Sequence, residues 1–226
     1  MSEMIEEMSP PKDEEIAPTK NRYIAIEGVI GVGKTTLANR LAKSFEASLV
    51  LEVVEENPFL ARFYDDPEAF AFQTQIFFLL SRYRQHLELS QRDLFQESVV
   101  ADYLFAKDQI FATINLGEDE LALYRTLLPL LEARLNRPDL VVYLQATTGV
   151  LLERIKRRGR DFEREISTEY LETLAEAYNH FFFHYDDTPL LIVNTNEMDL
   201  VANDDAYERL LALISRHSSG TQYVGR

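Results

Sequence analysis

Residues 22–40 read Arg-Tyr-Ile-Ala-Ile-Glu-Gly-Val-Ile-Gly-Val-Gly-Lys-Thr-Thr-Leu-Ala-Asn-Arg. The apolar run Tyr23–Ile26 has the unbroken hydrophobicity of a strand buried on both faces of a parallel sheet. It runs into Gly28-Val29-Ile30-Gly31-Val32-Gly33-Lys34-Thr35, which fits G-x-x-x-x-G-K-[ST]. Leu37, Leu41 and Phe45 then recur at helical spacing. Strand, glycine loop and helix stand in the order that a phosphate-binding loop requires. Chance alone would match the fixed positions in roughly one chain of this length in a hundred, and the flanking strand and helix make coincidence rarer still.

The chemistry of such a loop is specific. Glycines let the backbone turn sharply and aim several N–H groups at one anion. The helix that follows adds the positive end of its dipole. Lys34 is placed to meet the β- and γ-phosphates, and Thr35 to offer its hydroxyl to Mg²⁺. A nucleoside triphosphate is therefore expected on Gly28, Val29, Ile30, Gly31, Val32, Gly33, Lys34, Thr35 and Thr36.

Outward from this loop, strands and helices alternate. Strands are expected near Leu49–Val54, Ser98–Ala101, Leu140–Leu144 and Leu190–Val193. Helices are expected within 59–95, over Asp119–Leu135 with a stop at Pro138, over Val150–Arg157, through Tyr170–Phe182 and over Ala206–Ile214. The alternation predicts an α/β fold of the P-loop NTPase type, with three α/β/α layers, a five-stranded parallel sheet and an arginine-rich lid. One domain is expected over 21–217. The acidic, Pro-containing stretch 1–20 is expected to be disordered, and 218–226 to be a flexible tail.

Composition narrows the function. With 23 basic against 38 acidic residues the net charge is −15. Residues 1–20 hold six acids and two bases, hence −4 of that total. An acidic surface disfavours nucleic-acid backbone as a partner. The sequence has no cysteine, which excludes disulfides and thiolate metal sites. No apolar run approaches the length of a membrane span, and the N-terminal stretch lacks a signal-peptide core. A cytoplasmic protein with no membrane partner is expected.

Three features outside the loop carry chemistry. Glu52 interrupts an apolar strand, where a carboxylate is costly unless it faces a cleft or a partner. It is either a paired structural acid at the strand end or a general base beside the phosphates. Residues 154–160, Arg-Ile-Lys-Arg-Arg-Gly-Arg, are mostly basic in an acidic protein. Arg154 and Arg158 share a helix face, and like charges so spaced cost roughly 0.2–0.5 kcal/mol. The stretch is either a solvated basic patch or a lid that brings arginines to a transferring phosphoryl group. Ser98-Val99-Val100-Ala101-Asp102 reads on spacing alone as a strand ending in a Mg²⁺-side acid. The four histidines, His86, His180, His184 and His217, form no metal-binding spacing.

The ordered set of motifs resembles the deoxynucleoside kinase family, and most closely its bacterial deoxyadenosine/deoxyguanosine kinase branch, over roughly residues 22–215. Glu52-Val53-Val54-Glu55-Glu56-Asn57 resembles the family's Glu-Pro-Val-x-x-(Trp/Asn) element, with Val for Pro, whose Glu is the base for the 5′-hydroxyl. Phe63-Tyr64-Asp65-Asp66-Pro67-Glu68 resembles the element whose Tyr touches the sugar 3′-hydroxyl. Phe72-Gln73-Thr74-Gln75 through Ser81-Arg82 resembles the helix whose Gln binds the nucleobase, which implies Gln75, or Gln73 in a slipped register, with Arg82 beside it. The family's strand-following acid that reads base amino groups would be Asp102, displacing the metal-side reading. Arg154, Arg158 and Arg160 match lid arginines, Glu163 a second 3′-hydroxyl contact, and Asn196-Glu197 the loop over the ATP adenine. One departure stands out: where the family has Glu-Arg-Ser or Asp-Arg-Ser, this chain has Gln96-Glu97-Ser98. The arginine is missing, and Glu97 is left as the acid beside Mg²⁺.

The resemblance implies ATP-dependent phosphorylation of a deoxynucleoside 5′-hydroxyl by a homodimer. Glu52, Lys34, Arg154 and Arg158 would carry the chemistry, and deoxyadenosine would be favoured over deoxyguanosine or deoxycytidine. Two other readings share the phosphate loop: a nucleoside monophosphate kinase of the thymidylate kinase kind, and a non-catalytic nucleotide-binding regulator. The first needs cations for an acceptor phosphate near residues 60–75, where only Arg62, Arg82 and Arg84 are at hand. The second leaves the basic lid unexplained.

Overall fold

The computed structural model describes residues 22–91, 98–133, 135–163, 166–198 and 203–225. The stretch 1–20 and Glu97 lie outside these. The chain begins with β1 (Tyr23–Gly28), the glycine loop and α1 (Lys34–Ser44), and continues through β2 (Ser48–Val50), α2 (Leu60–Asp65) and α3 (Pro67–Gln91). Then come β3 (Val99–Ala101), α4 (Asp108–Asn115), α5 (Glu118–Glu132), β4 (Leu140–Gln145), α6 (Thr148–Arg158), α7 (Thr168–Phe183), β5 (Leu190–Asn194), α8 (Asp204–Arg216) and β6 (Thr221–Val224). The strands form one parallel sheet in the order β2-β3-β1-β4-β5-β6.

The sheet has six strands rather than the five expected. The sixth lies in the segment read as a flexible tail. Its residues alternate too weakly to mark a strand, and all of Thr221, Gln222 and Tyr223 are exposed. What makes it a strand is the free edge of β5: Leu190 pairs with Thr221, Leu191 with Gln222, Ile192 with Tyr223 and Val193 with Val224. β2 is correspondingly shorter than expected, ending at Val50, so Glu52 lies beyond the strand rather than inside it. α4 has no counterpart in the expectations, because the run Asp108–Asn115 is too short to show a period.

The pattern of burial explains the layers. Every residue of β4 from Leu140 to Leu144 is buried, as are Ile24, Ala25, Ile26 and Leu190–Val193, so the central strands are covered on both faces. One core runs from these strands to α1, α6, α7 and α8. A second, smaller core joins α2, α3, α4 and α5 around Phe63, Leu79, Phe105, Tyr124 and Leu128. Helix starts carry local caps: Ser167 Oγ accepts from the Tyr170 N–H, and Asn203 Oδ1 from the Ala206 N–H.

The strand order reverses direction at β1, whose neighbours β3 and β4 lead to opposite sides of the sheet. A crevice opens at that point beyond the carboxyl ends of the strands. The glycine loop, Glu52, Asp102, Gln145 and Asn194 all sit on this one edge. Two glycines are required there by close approach: a Cβ at Gly28 would meet the Leu144 carbonyl oxygen at 2.5 Å, and one at Gly31 the Ile155 side chain at 2.7 Å.

Deletion of residues 219–226 removes the ladder bonds of β6 and uncovers the edge of β5, including the bond from the Leu190 N–H to the Gly220 carbonyl. At about 1 kcal/mol net for each lost hydrogen bond, a loss of roughly 2–3 kcal/mol is expected. Differential scanning calorimetry should show Tm lowered by roughly 5–10 °C for a chain of this size.

Candidate active site

The glycine loop and the ends of β2, β3 and β5 line a single large cavity of about 1030 Å³. At one end stand the loop, Thr35, Arg154 and the Thr195–Met198 segment; at the other stand Tyr64, Gln75, Phe78, Arg82, Phe111 and Tyr170. Glu52 lies between the two ends. The cavity thus has room for two ligands meeting at one carboxylate.

Glu52 is held on both oxygens. The Arg82 guanidinium donates to Oε1 through Nε at 2.8 Å and Nη2 at 2.5 Å. Lys107 Nζ donates to Oε2 at 2.8 Å. Burial would by itself raise the Glu52 carboxyl, but Lys107 and Arg82 together hold it well below the usual carboxylate range. The side chain remains 13% exposed and faces the cavity. A deprotonated, positioned carboxylate is therefore available here at any pH near neutrality.

Asp102, at the carboxyl end of β3, turns toward the glycine loop. Its Oδ2 accepts from the Thr35 hydroxyl at 2.6 Å and its Oδ1 from the Glu52 N–H at 2.6 Å. It makes no hydrogen bond or ion pair with Gln75 or Arg82, the residues it is expected to join at the nucleobase, and stands instead against the glycine loop. The acid that joins Gln75 and Arg82 is Asp108, which is fully buried. Arg82 Nη1 donates to Asp108 Oδ1, Tyr124 Oη donates to Oδ2 at 2.8 Å, and Gln75 Nε2 donates to the Asp108 carbonyl at 2.9 Å. Gln75 is buried against the cavity, whereas Gln73 is exposed on α3. Sequence reasoning missed Asp108, Lys107 and Phe111. Asp108 and Lys107 could have been suspected as adjacent opposite charges within the apolar stretch Tyr103–Ile114.

Lys34 closes the phosphate end. Its ammonium donates to the Gly28 carbonyl at 2.6 Å and to that of Val29 at 3.3 Å. Burial and then the nearby Lys107 push its pKa down to about 8. Glu27, just before the loop, is fully buried; its carboxylate accepts from the Gly28 and Leu104 N–H groups and from Tyr178 Oη. It braces the loop against β3 and α7 rather than facing the cavity.

The basic lid is already paired with protein groups. Arg154 donates to the Val32 carbonyl at 3.0 Å and to Thr195 Oγ1 and O at 3.0 and 2.8 Å, tying the glycine loop to the segment after β5. Arg158 donates to Glu163 at 2.5 and 3.0 Å, and Arg160 reaches Glu163 at 3.7 Å and Glu55 at 3.4 Å. The repulsion expected along this helix is thus relieved inside the protein. Glu163 is buried, and Tyr64 lies close enough for Glu163 and Arg158 to act on its hydroxyl, whose pKa burial drives upward. Asn196 Oδ1 accepts from the Thr147 N–H at 2.7 Å, and Glu197 is exposed at the cavity rim.

Thr35 and Asp102 present two oxygen donors side by side, a pair that suits Mg²⁺. Among the described residues no group of three or more His, Cys, Asp or Glu side chains gathers at one point. An ion here would take its other ligands from phosphate and water, as Mg²⁺ does with nucleotides.

Removing Asp108 tests the buried network. Asp108→Ala leaves the Arg82 guanidinium and Tyr124 hydroxyl without that acceptor and should cost roughly 3–5 kcal/mol, whereas Tyr124→Phe should cost only about 1 kcal/mol. Urea unfolding of both variants measures the difference.

Comparison with known proteins agrees with this geometry. The deoxynucleoside kinase family profile matches residues 24–218. Deoxyguanosine kinase from Bacillus subtilis is 38% identical over 84% of this chain and 94% of its own. Deoxyadenosine/deoxycytidine kinase from the same organism is 31% identical over 87% of this chain and 93% of its own. Deoxyadenosine kinase from M. mycoides, solved with bound dATP, superposes with a TM-score of 0.75 at 29% identity, covering 85% of this chain and 98% of that one. A shared profile across nearly the whole described chain, joined to a glycine loop and a gripped carboxylate in one cavity, leads to one conclusion: this chain belongs to the deoxynucleoside kinase family.

Proposed function

We propose that the protein transfers the γ-phosphoryl group of ATP to the 5′-hydroxyl of a deoxynucleoside, with deoxyadenosine favoured, then deoxyguanosine or deoxycytidine. The observation that carries this reading is the position of Glu52, a carboxylate kept ionised midway between a phosphate-binding loop and a recess lined by Gln75, Phe78, Arg82 and Phe111.

In this reading the loop N–H groups and Lys34 hold the β- and γ-phosphates, while Asn196 and Glu197 border the adenine of ATP. Thr35 and Asp102 would hold Mg²⁺, whose charge would offset that of the phosphates. Gln75 and the Arg82–Asp108 pair face the nucleobase edge, where amide and guanidinium donors meet ring nitrogens and carbonyls. Phe78 and Phe111 supply flat apolar walls. Tyr64 and Glu163 lie where the sugar 3′-hydroxyl would reach. Glu52 accepts the 5′-hydroxyl proton as the oxygen attacks the γ-phosphorus and ADP departs. Arg158 lines the cavity beside Glu163, and Arg154 acts as a strut that keeps the loop and the Thr195–Met198 segment in register.

A monophosphate as acceptor is disfavoured. Arg62 stacks on Phe59 and Phe70, 5.3 and 4.6 Å from their ring centres, and does not line the cavity. Arg82 is already matched by two carboxylates. The relatives named for deoxyadenosine, deoxyguanosine and deoxycytidine support a deoxynucleoside as acceptor. A homodimer through α3 and α5 is part of the proposal: Leu80, Leu123 and Leu130 are exposed there, at 46%, 50% and 68%. Among the described residues no helix is long and apolar enough to cross a membrane, and a cytoplasmic location fits the cysteine-free sequence.

Purified protein with ATP–Mg²⁺ and each of the four deoxynucleosides should give a 5′-monophosphate, most readily with deoxyadenosine; no product with any of them would end the proposal. Glu52→Gln should lower kcat by roughly 10²–10⁴-fold with ATP affinity retained. Because the folded-state pKa of Glu52 is depressed, the carboxylate is already present above its ordinary range near pH 4. The kcat/KM profile should therefore show no acidic limb from this group between pH 5 and 8.

A further inference from the structure

Lys107 is the observation that the assigned roles leave over. Its side chain is 3% exposed, yet its ammonium reaches the cavity and rests on Glu52 Oε2 at 2.8 Å. It comes from the turn after β3, five positions beyond Asp102. The residue that directly follows Asp102 is Tyr103, fully buried, with a hydroxyl that has no hydrogen-bond partner. Tyr103 can supply no positive charge to the site. Lys107 does, from a different point of the chain.

Two physical constraints bear on what this charge is for. First, an alcohol can donate its proton to Glu52 only by displacing one of the cations that hold it. Arg82 cannot easily leave: its guanidinium is shared between Glu52 and Asp108, lies 5.1 Å from the Phe78 ring centre and is 5% exposed. Lys107 has a flexible stem and bonds one carboxylate, and its ammonium lies 6.0 Å from the Phe111 ring centre. Oε2 is therefore the oxygen that can be opened. Second, Lys34 and Lys107 line the same cavity, and the charge of Lys107 opposes protonation of Lys34. Two recessed ammonium groups that repel each other are stabilised by an anion placed between them.

We infer that Lys107 is a catalytic residue of the phosphoryl transfer. The incoming 5′-hydroxyl takes its place on Glu52 Oε2, and the displaced ammonium turns to the phosphoryl group in flight, opposite Lys34. The bond balance is simple. The hydroxyl proton goes to Glu52, the new O–P bond forms, the bond to the β–γ bridging oxygen breaks, and that oxygen leaves with ADP. Lys107 keeps its proton throughout and contributes charge alone. This inference rests on the kinase reading proposed above.

The test compares Lys107→Met, Lys107→Arg and the double variant Glu52→Gln/Lys107→Met with the wild type. Lys107→Met should lower kcat by about 10²–10³-fold with the KM for ATP changed less than threefold, and Lys107→Arg should recover part of the loss. Binding is then measured by calorimetry for Mg²⁺–ADP alone and for Mg²⁺–ADP with fluoroaluminate and deoxynucleoside, a mimic of the transferring phosphoryl group. Lys107→Met should weaken the mimic complex about as much as kcat and leave Mg²⁺–ADP binding intact. The same weakening should persist in the Glu52→Gln background, because contact with the phosphoryl group does not pass through Glu52. Unchanged mimic binding, or a loss that vanishes once Glu52 is replaced, overturns the inference and leaves Lys107 as a brace for Glu52. A wild-type enzyme that phosphorylates no deoxynucleoside would instead overturn the kinase reading itself.

Discussion

The site depends on one guanidinium. Arg82 stands in the second core, on α3, and divides its donors between two carboxylates that come from separate parts of the chain, Glu52 after β2 and Asp108 at the start of α4. Buried charges survive only when they are paired and hydrogen-bonded, so each of the three fixes the others. Glu52 cannot turn into the sheet, Asp108 cannot turn to solvent, and α3 is held at the height where Gln75 also reaches the cavity. Gln75, Arg82 and Glu52 are thus parts of a single buried assembly. In the proposed reaction, a nucleobase that engages Arg82 or Gln75 meets the group that sets the position of Glu52.

The sheet supplies the complementary half. Parallel strands all end on one edge, and the reversal of order at β1 opens the crevice there. Short extensions beyond the strand ends then deliver the glycine loop, Asp102 and the Thr195–Met198 segment to a common wall. Arg154 cross-links two of these extensions, and the Thr35–Asp102–Glu52 chain of hydrogen bonds links the others. The two ends of the cavity are therefore registered to each other through the side-chain hydrogen bonds of a few residues, the kind of fixed positioning that the proposed phosphoryl transfer requires.

The acidic residues show where reading the chain succeeds and where it falters. Spacing alone reads Asp102 as a strand-end acid beside the glycine loop, and in the structure it bonds Thr35 of that loop. The resemblance reads it as a nucleobase contact, but the acid bonded to Gln75 and Arg82 is Asp108. The error came from Gln96-Glu97-Ser98, a stretch that looks like the family's motif but precedes β3 instead of ending it. Asp108 takes the place beside Gln75 and Arg82, and Lys107 supplies the cation on Glu52. Neither is signalled by a local pattern, since α4 is only eight residues long and Lys107, just before it, and Asp108, its first residue, stand in a mostly apolar setting.

The chain by itself determined the strand–loop–helix that binds phosphate, the alternating α/β order, the helix faces and the identity of Glu52, because each of these is written in residues that are neighbours or a helical turn apart. Tertiary structure decided the rest. The pairing of Arg82 with Glu52 and Asp108, the arrival of Lys107 at the second oxygen of Glu52, the engagement of Arg158 with Glu163 and the recruitment of Thr221–Val224 as a sixth strand all join segments distant in sequence. Charge pairing and strand pairing are satisfied by whichever partner the packing brings within about 3 Å, and that proximity is a property of the folded core, not of sequence spacing.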